Sequence, residues 1–174
     1  MLRGSSWLQR STNASHYRAT IEAIEQANPA LRGVDAGDYQ DPAVRAQILD
    51  TYKVLTKTLL PEGGTPETLV TKVMLGVWGV IPAYDVYLKA AFRYLGEGSK
   101  EKAAFNYTRE RSLALLADFY AEHSDEIERL AGQHRTVDFN GQRTEQPVTS
   151  MKVIDMFAFQ AGFVGPRKAL ALQE

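Results

Sequence analysis

Residues 60–95 decide the fold, and they read LPEGGTPETLVTKVMLGVWGVIPAYDVYLKAAFRYL. A turn of proline and glycine residues separates two helical patterns, and the break at Pro82 places Asp85 in the first turn of a third. Lys72 and Asp85 are the only charged residues between Leu69 and Leu88. Because an unpaired buried charge is costly, these two side chains are the first candidates for a functional role.

Helical periodicity continues through most of the chain, and no alternating run is long enough to predict a substantial strand. The first predicted helix begins between Thr12 and Ser15 and ends at Ala27, because Asn28-Pro29 stops it. The other predicted helices are Asp41-Pro42 to Leu59, Thr65 to Trp78, Ala83 to Leu95, Ser99 to His123, Ser124 to Gly132, and one that begins at Thr149 or Ser150. The helix from Thr65 is apolar on nearly every side, which predicts a central position.

The segments between these helices are predicted as loops. Residues 33–40 carry turn-forming residues throughout, and Asn140-Gly141 predicts a small β-hairpin near 135–145. Residues 1–10 are expected to be irregular, and Pro166 is expected to open a short terminal turn. The sequence therefore predicts one all-α domain over residues 1–174, with six to eight helices and at most a minor hairpin.

Composition narrows the classes of function. The formal net charge is −1 and the pI is about 6.3, so a nucleic-acid role needs a local basic patch. Cysteine is absent, which excludes disulfides and thiolate metal sites. No apolar run reaches the roughly 20 residues of a membrane span. We therefore expect a cytoplasmic protein with no membrane partner. The histidines are scattered and the sequence has no nucleotide-binding motif, so we expect neither a metal nor a cofactor.

The turn LPEGG resembles the hairpin of the helix-hairpin-helix element in the base-excision DNA glycosylase superfamily, which reads LPGVG. Leu60, Pro61 and Gly64 match that hairpin, while Glu62 replaces a glycine and Gly63 stands where an aliphatic residue is expected. In that family the backbone amides of the hairpin and of the following helix N-terminus hold a DNA phosphate. The resemblance implies that Gly63, Gly64 and Thr65 bind phosphate and that the partner is nucleic acid.

The same family places a catalytic aspartate near the start of a later helix, after a stretch resembling V-P-V-D. Residues 81–85 read IPAYD, with one extra residue before the acid. Lyase-type members carry a lysine behind the hairpin that attacks the sugar carbon and forms a Schiff base. The resemblance implies that Lys72, eight residues past Gly64, is the nucleophile and that Asp85 assists it.

A second interpretation stays open, in which the chain is a non-catalytic helical interaction or regulatory protein. Asp85 then stabilises a helix start and pairs with Lys89, Lys72 reaches solvent along its apolar stem, and Gly76 and Gly79 are close-packing points. The enzyme interpretation requires Lys72 and Asp85 to open into one cleft with charged groups within about 6 Å.

Two further patterns have more than one interpretation, and a third predicts a local contact. Arg129 and His134 have a spacing similar to that of helical HEPN ribonucleases, or they mark a solvated helix end. The tyrosines Tyr84, Tyr87 and Tyr94 are predicted on one helix face, either to stack bases or to pack. A local salt bridge is predicted between Lys152 and Asp155, three residues apart.

Overall fold

A computed structural model describes residues 13–96, 98–138 and 140–164. The all-α prediction is confirmed, with seven α-helices and one two-stranded antiparallel sheet in those residues. The elements are α1 (Arg18–Leu31), α2 (Pro42–Leu59), α3 (Pro66–Val77), α4 (Val86–Leu95), α5 (Ser99–Lys102), α6 (Glu110–Gln133), β1 (Arg135–Val137), β2 (Arg143–Pro147) and α7 (Ser150–Val164), with 3-10 turns at Ala14–Tyr17, Ala36–Gln40 and Ala104–Asn106. The predictions for residues 1–10 and for Pro166 lie outside the described residues.

Helices α2 and α3 begin and end close to their predicted bounds. Asp41 caps α2 by accepting a hydrogen bond from the Ala43 amide, and proline occupies the first position of both helices. Helix α4 begins at Val86 and not at Ala83, because Asp85 is its N-cap: its Oδ1 accepts from the amides of Tyr87 and Leu88. The N-cap position brings the Asp85 carboxylate to the end of α4 nearest α3.

The predicted stop at Asn28-Pro29 is wrong. Pro29 lies inside α1, which continues to Leu31, and its start is delayed because a 3-10 turn capped by Asn13 occupies Ala14–Tyr17. Proline removes one amide donor and crowds the preceding turn. Leu31 is fully buried, and burial of such a side chain contributes about 2 kcal/mol, so tertiary packing overrides the local signal.

The predicted helix bounds between 99 and 132 are also wrong. Helix α5 is a single turn, and the long helix begins at Glu110, where the Ser112 hydroxyl accepts from the Arg109 amide. The helix does not end at His123, whose φ of −122° and ψ of 18° kink it without breaking it. The Tyr120 hydroxyl donates to Glu128 at 2.5 Å and so bridges the kink.

The segment predicted as a loop at 33–40 contains a 3-10 turn whose cap also holds α7 in place. Asp35 Oδ1 accepts from the amides of Ala36 and Met151, and its Oδ2 accepts from the amide of Ser150. The first amides of α7, which have no partner within the helix, are thereby satisfied across 115 residues of sequence. Asp35 fixes where α7 starts and so fixes the phase of every side chain on it.

The core is one cluster of buried side chains drawn from α1–α4, α6 and α7. Helix α4 packs against α7 so closely that a Cβ on Gly162 would overlap the Tyr87 carbonyl oxygen. Helix α3 is not the surrounded central helix that its composition predicts, since Lys72, Gly76 and Val77 are exposed. This open face of α3 forms one side of a cavity.

Candidate functional site

A cavity of about 880 Å³ lies between α3, α7 and the β-hairpin, and we call it the cleft. Residues 72, 75 and 76 of α3 line one side, and residues 152, 155, 156 and 159 of α7 line the other. Spacings of three and four residues place side chains on one face of a helix, so each helix presents a single stripe to the cleft. Both stripes begin with a lysine.

The first charged pair in the cleft joins Lys72 and Asp85. Lys72 Nζ lies 3.5 Å from Asp85 Oδ2, and both residues line the cavity. The carboxylate is held in place because its Oδ1 caps α4. The two side chains thus meet the geometric requirement of the enzyme interpretation, and Asp85 pairs with Lys72 and not with Lys89 as the second interpretation supposes.

The second charged pair confirms the predicted bridge between Lys152 and Asp155. Lys152 Nζ donates to Asp155 Oδ2 at 2.8 Å, and Asp155 Oδ1 accepts from the Ala83 amide at 2.9 Å. Because Ala83 is buried, this bond satisfies an amide that water cannot reach. Asp155 therefore positions the 82–85 segment that carries Asp85.

Both pairs have the same orientation toward solvent. The side chains of Asp85 and Asp155 are 19% and 16% exposed, whereas those of Lys72 and Lys152 are 48% and 39% exposed. The carboxylates lie behind the ammonium groups and are bonded to backbone amides. The exposed side of each pair is positive.

Apolar side chains form the remainder of the cleft. The Trp78 indole N–H donates to Asn28 Oδ1 at 3.1 Å, so the ring leaves no unsatisfied polar atom in the cavity. Met156 and Phe159 are 39% and 50% exposed. The Phe159 ring lies edge-on to Tyr87, with centroids 4.7 Å apart.

The predicted phosphate-binding turn is separate from the cleft. Gly63, Gly64 and Thr65 precede α3 and are not among the residues that line the cavity. Gly63 and Gly64 have φ of 90° and 141°, values that favour glycine, so the turn needs both for its backbone course. Lys72 lies seven positions after Thr65, about 10 Å along the helix axis.

The Arg129–His134 pattern is divided between two places. His134 lines the cleft at the end of α6, whereas the Arg129 guanidinium pairs with Glu126 at 3.9 Å and is not a cleft residue.

Of the two predicted packing glycines, Gly79 meets the Thr149 side chain closely, with φ of 69°. Gly76 has open space beside it, so its packing role is wrong.

The three tyrosines do not share a face. Tyr84 is fully buried and donates to Ser112 Oγ at 2.8 Å, and burial raises the pKa of its phenol well above the usual range. Tyr87 contacts Phe159 on α7. Tyr94 lines a second cavity of about 300 Å³, between α4, α6 and α7, which we call the apolar pocket.

Sequence reasoning missed Met156 and Phe159 and treated Lys152 and Asp155 only as a local pair. A signal was present, since these four residues have the spacing of one helix face. That spacing did not indicate which face was buried, because α7 is apolar on several sides.

Comparisons with protein-family models, with curated proteins and with solved structures find no match to this chain. Within the described ranges, no helix is long and apolar enough to cross a membrane. The same part of the chain contains no group of three or more histidine, aspartate or glutamate side chains placed to hold a metal ion.

Proposed function

We propose that the protein acts on nucleic acid through the cleft, in the manner of the helix-hairpin-helix glycosylases and lyases that residues 60–85 resemble. The observation that carries the proposal is the distance of 3.5 Å between Lys72 Nζ and Asp85 Oδ2 at the wall of one open cavity. A nucleophile and a proton acceptor within direct reach are the minimum that Schiff-base chemistry needs.

The proposed step is attack by Lys72 on the aldehyde carbon of a ring-opened abasic sugar. Asp85 Oδ2 accepts one proton from the ammonium, and the neutral amine adds to the carbonyl carbon. A second proton moves from the nitrogen to the carbonyl oxygen and gives a carbinolamine, whose hydroxyl then receives the proton held by Asp85. Water leaves, and a carbon–nitrogen double bond joins the protein to the sugar. Arg135 and Lys152 line the same cavity and are the cations within it that can contact the phosphates on either side of the sugar.

Borohydride trapping tests this step directly. Borohydride delivers hydride to the imine carbon and fixes it as a secondary amine, so a duplex with one abasic site is expected to give a covalent adduct with the natural protein. Lys72→Ala is expected to give none. Lys53→Ala is the matched control, because Lys53 also pairs with an aspartate, Asp50, but lies on the exposed face of α2; this variant is expected to retain the full yield of adduct.

Absence of an adduct with the natural protein, together with DNA binding that does not change with salt, would contradict the proposal. An adduct that persists in Lys72→Ala would show that another amine is the nucleophile. Mapping the reduced adduct by mass spectrometry identifies the modified residue in either case.

The second candidate is a non-catalytic helical interaction module, and one observation favours it. Asp85 already has a structural task, because its Oδ1 accepts two amides at the start of α4. Under this function Asp85→Asn, which keeps an N-cap acceptor, leaves stability and partner binding close to those of the natural protein. Under the catalytic function the same variant loses its proton acceptor, and the rate of adduct formation falls.

A further inference from the structure

The cleft offers hydrogen-bond donors in excess of acceptors. An ammonium has three N–H donors, and among the described residues Lys72 and Lys152 each have one carboxylate oxygen as charged partner. Asp85 and Asp155 each have Oδ2 next to a lysine, and Oδ1 of each carboxylate accepts hydrogen bonds from backbone amides. Both ammonium groups therefore keep N–H donors that can bond to an anionic ligand, and they are more exposed than the carboxylates behind them.

The apolar side of the cleft is flat and held in place. Phe159 is half exposed at the cavity wall, where Tyr87 contacts its ring edge-on and Phe163 lies parallel to it, with centroids 6.0 Å apart. Exposed apolar surface of this kind gains free energy when a ligand removes it from water. Met156 extends the same wall by one turn of α7 toward Lys152.

We propose that the cleft binds a free organic anion with a flat apolar body and one terminal carboxylate, phosphate or sulfonate. The acidic group lies against Lys72 and Lys152, and the apolar body lies against Met156 and Phe159. The volume of about 880 Å³ suits a small molecule. This inference goes beyond the nucleic-acid function, because it concerns a free ligand and needs no covalent step.

The apolar pocket provides an internal comparison for this inference. Its lining includes Glu126 and His123 but, among the described residues, no lysine or arginine. A carboxylate at the edge of an apolar cavity disfavours an anion. An organic anion should therefore choose the cleft, while an uncharged apolar molecule has no electrostatic reason to avoid the pocket.

Two fluorescent probes test the proposal on the natural protein. They are 1-anilinonaphthalene-8-sulfonate and N-phenyl-1-naphthylamine, which share a ring system and differ by the sulfonate. The anionic probe is expected to bind about tenfold more tightly at low salt, and this advantage is expected to shrink as salt is raised. Equal affinities, or an advantage that salt does not change, would overturn the proposal without any variant.

Variants then locate the probe. Replacing Lys72 and Lys152 together by methionine is expected to reduce the advantage of the anionic probe, and Phe159→Ala to weaken the anionic probe by about tenfold. Lys53→Met and Tyr107→Ala are the matched controls, because Lys53 pairs outside the cleft and Tyr107 is an exposed aromatic side chain that lines neither cavity. Both controls are expected to bind the anion within about twofold of the natural protein.

If the anionic probe no longer binds to Tyr94→Ala but still binds to the double variant of Lys72 and Lys152, the probe occupies the apolar pocket and the proposal is overturned. The result is independent of the trapping experiment. Anion binding without an adduct would support this inference and contradict the catalytic function. An adduct without selective anion binding would support the catalytic function and contradict this inference.

Discussion

Two cavities lie on opposite sides of α7, and the same helix gives them opposite chemistry. Lys152, Asp155, Met156 and Phe159 face the cleft, whereas residues 153, 154, 157 and 161 face the apolar pocket. Two sets of residues with helical spacing are interleaved within ten positions of sequence. The difference shows that a helix apolar on several sides can still separate a cavity lined by lysines from one that has none, provided its rotation is fixed.

The two cavities are also held together differently. Carboxylates bonded to backbone amides anchor the cleft, with Asp85 capping α4 and Asp155 holding the Ala83 amide. The wall of the apolar pocket is the kinked part of α6, where the hydrogen bond between Tyr120 and Glu128 bridges His123. Variants at these points should therefore affect one cavity more than the other.

The largest expected effect is at the close contact between α4 and α7. Gly162→Ala places a methyl group on top of the Tyr87 carbonyl, which belongs to backbone and cannot rotate away. We expect the free energy of unfolding to fall by about 2–3 kcal/mol, because α4 and α7 must move apart. Chemical denaturation measures this change.

Gly76→Ala is the matched control for that substitution. Gly76 lies inside α3, and an added Cβ there would meet nothing within 4 Å, so alanine should keep or raise stability, by up to about 1 kcal/mol. Equal losses in the two variants would contradict the close approach of α4 and α7.

A smaller effect is expected at the anchor of the cleft. Asp155→Ala leaves the Ala83 amide buried without an acceptor and is expected to cost about 2 kcal/mol. Asp155→Asn keeps an acceptor oxygen and should cost less than half of that. Asp50→Ala, which breaks an exposed pair with Lys53, should change stability by less than about 0.5 kcal/mol. A loss in Asp155→Asn equal to that in Asp155→Ala would show that the ion pair, and not the amide bond, is the anchor.

The smallest effect is on the pocket side and depends on pH. The hydrogen bond to Glu128 raises the pKa of Tyr120 to about 12, with burial adding to the shift. The unfolded chain loses this proton near its usual pKa of about 10, so the bond stabilises the fold fully below that pH and is lost as pH rises through 12.

Tyr120→Phe is therefore expected to lower stability by at most about 1 kcal/mol at neutral pH and to make no difference above pH 12. Denaturation at several pH values checks the difference, and the absorbance of phenolate follows the ionisation. Because burial also raises the pKa of Tyr39 and Tyr84, the natural protein and the variant share a further alkaline loss, and only their difference reports on Tyr120. A difference that does not change with pH would contradict this assignment.

Local chemistry predicted those parts of the fold whose signals lie within a few residues. Asp41-Pro42 and Thr65-Pro66 start helices because a side-chain acceptor or a preset backbone angle satisfies the helix end locally. The sequence predicts the start of α4 three residues early, at Ala83, because it does not show that Asp85 is the N-cap and not a first-turn residue. The errors at Pro29 and His123 have other causes. At Pro29 the burial of Leu31 stabilises a helix that the local sequence would end, and at His123 the hydrogen bond between Tyr120 and Glu128 bridges a kink inside α6.

The sequence by itself determined that the chain is helical, that a short hairpin follows α6, and that Lys72 and Asp85 are the isolated charges of its most apolar segment. It did not determine that these two side chains meet across 3.5 Å, nor that Lys152, Asp155 and Phe159 face them. The placement of the α7 residues depends on the rotation of α7, and Asp35 holds the first amides of that helix from 115 residues away. Helical periodicity defines which residues share a face, but only packing against the other helices decides where that face points.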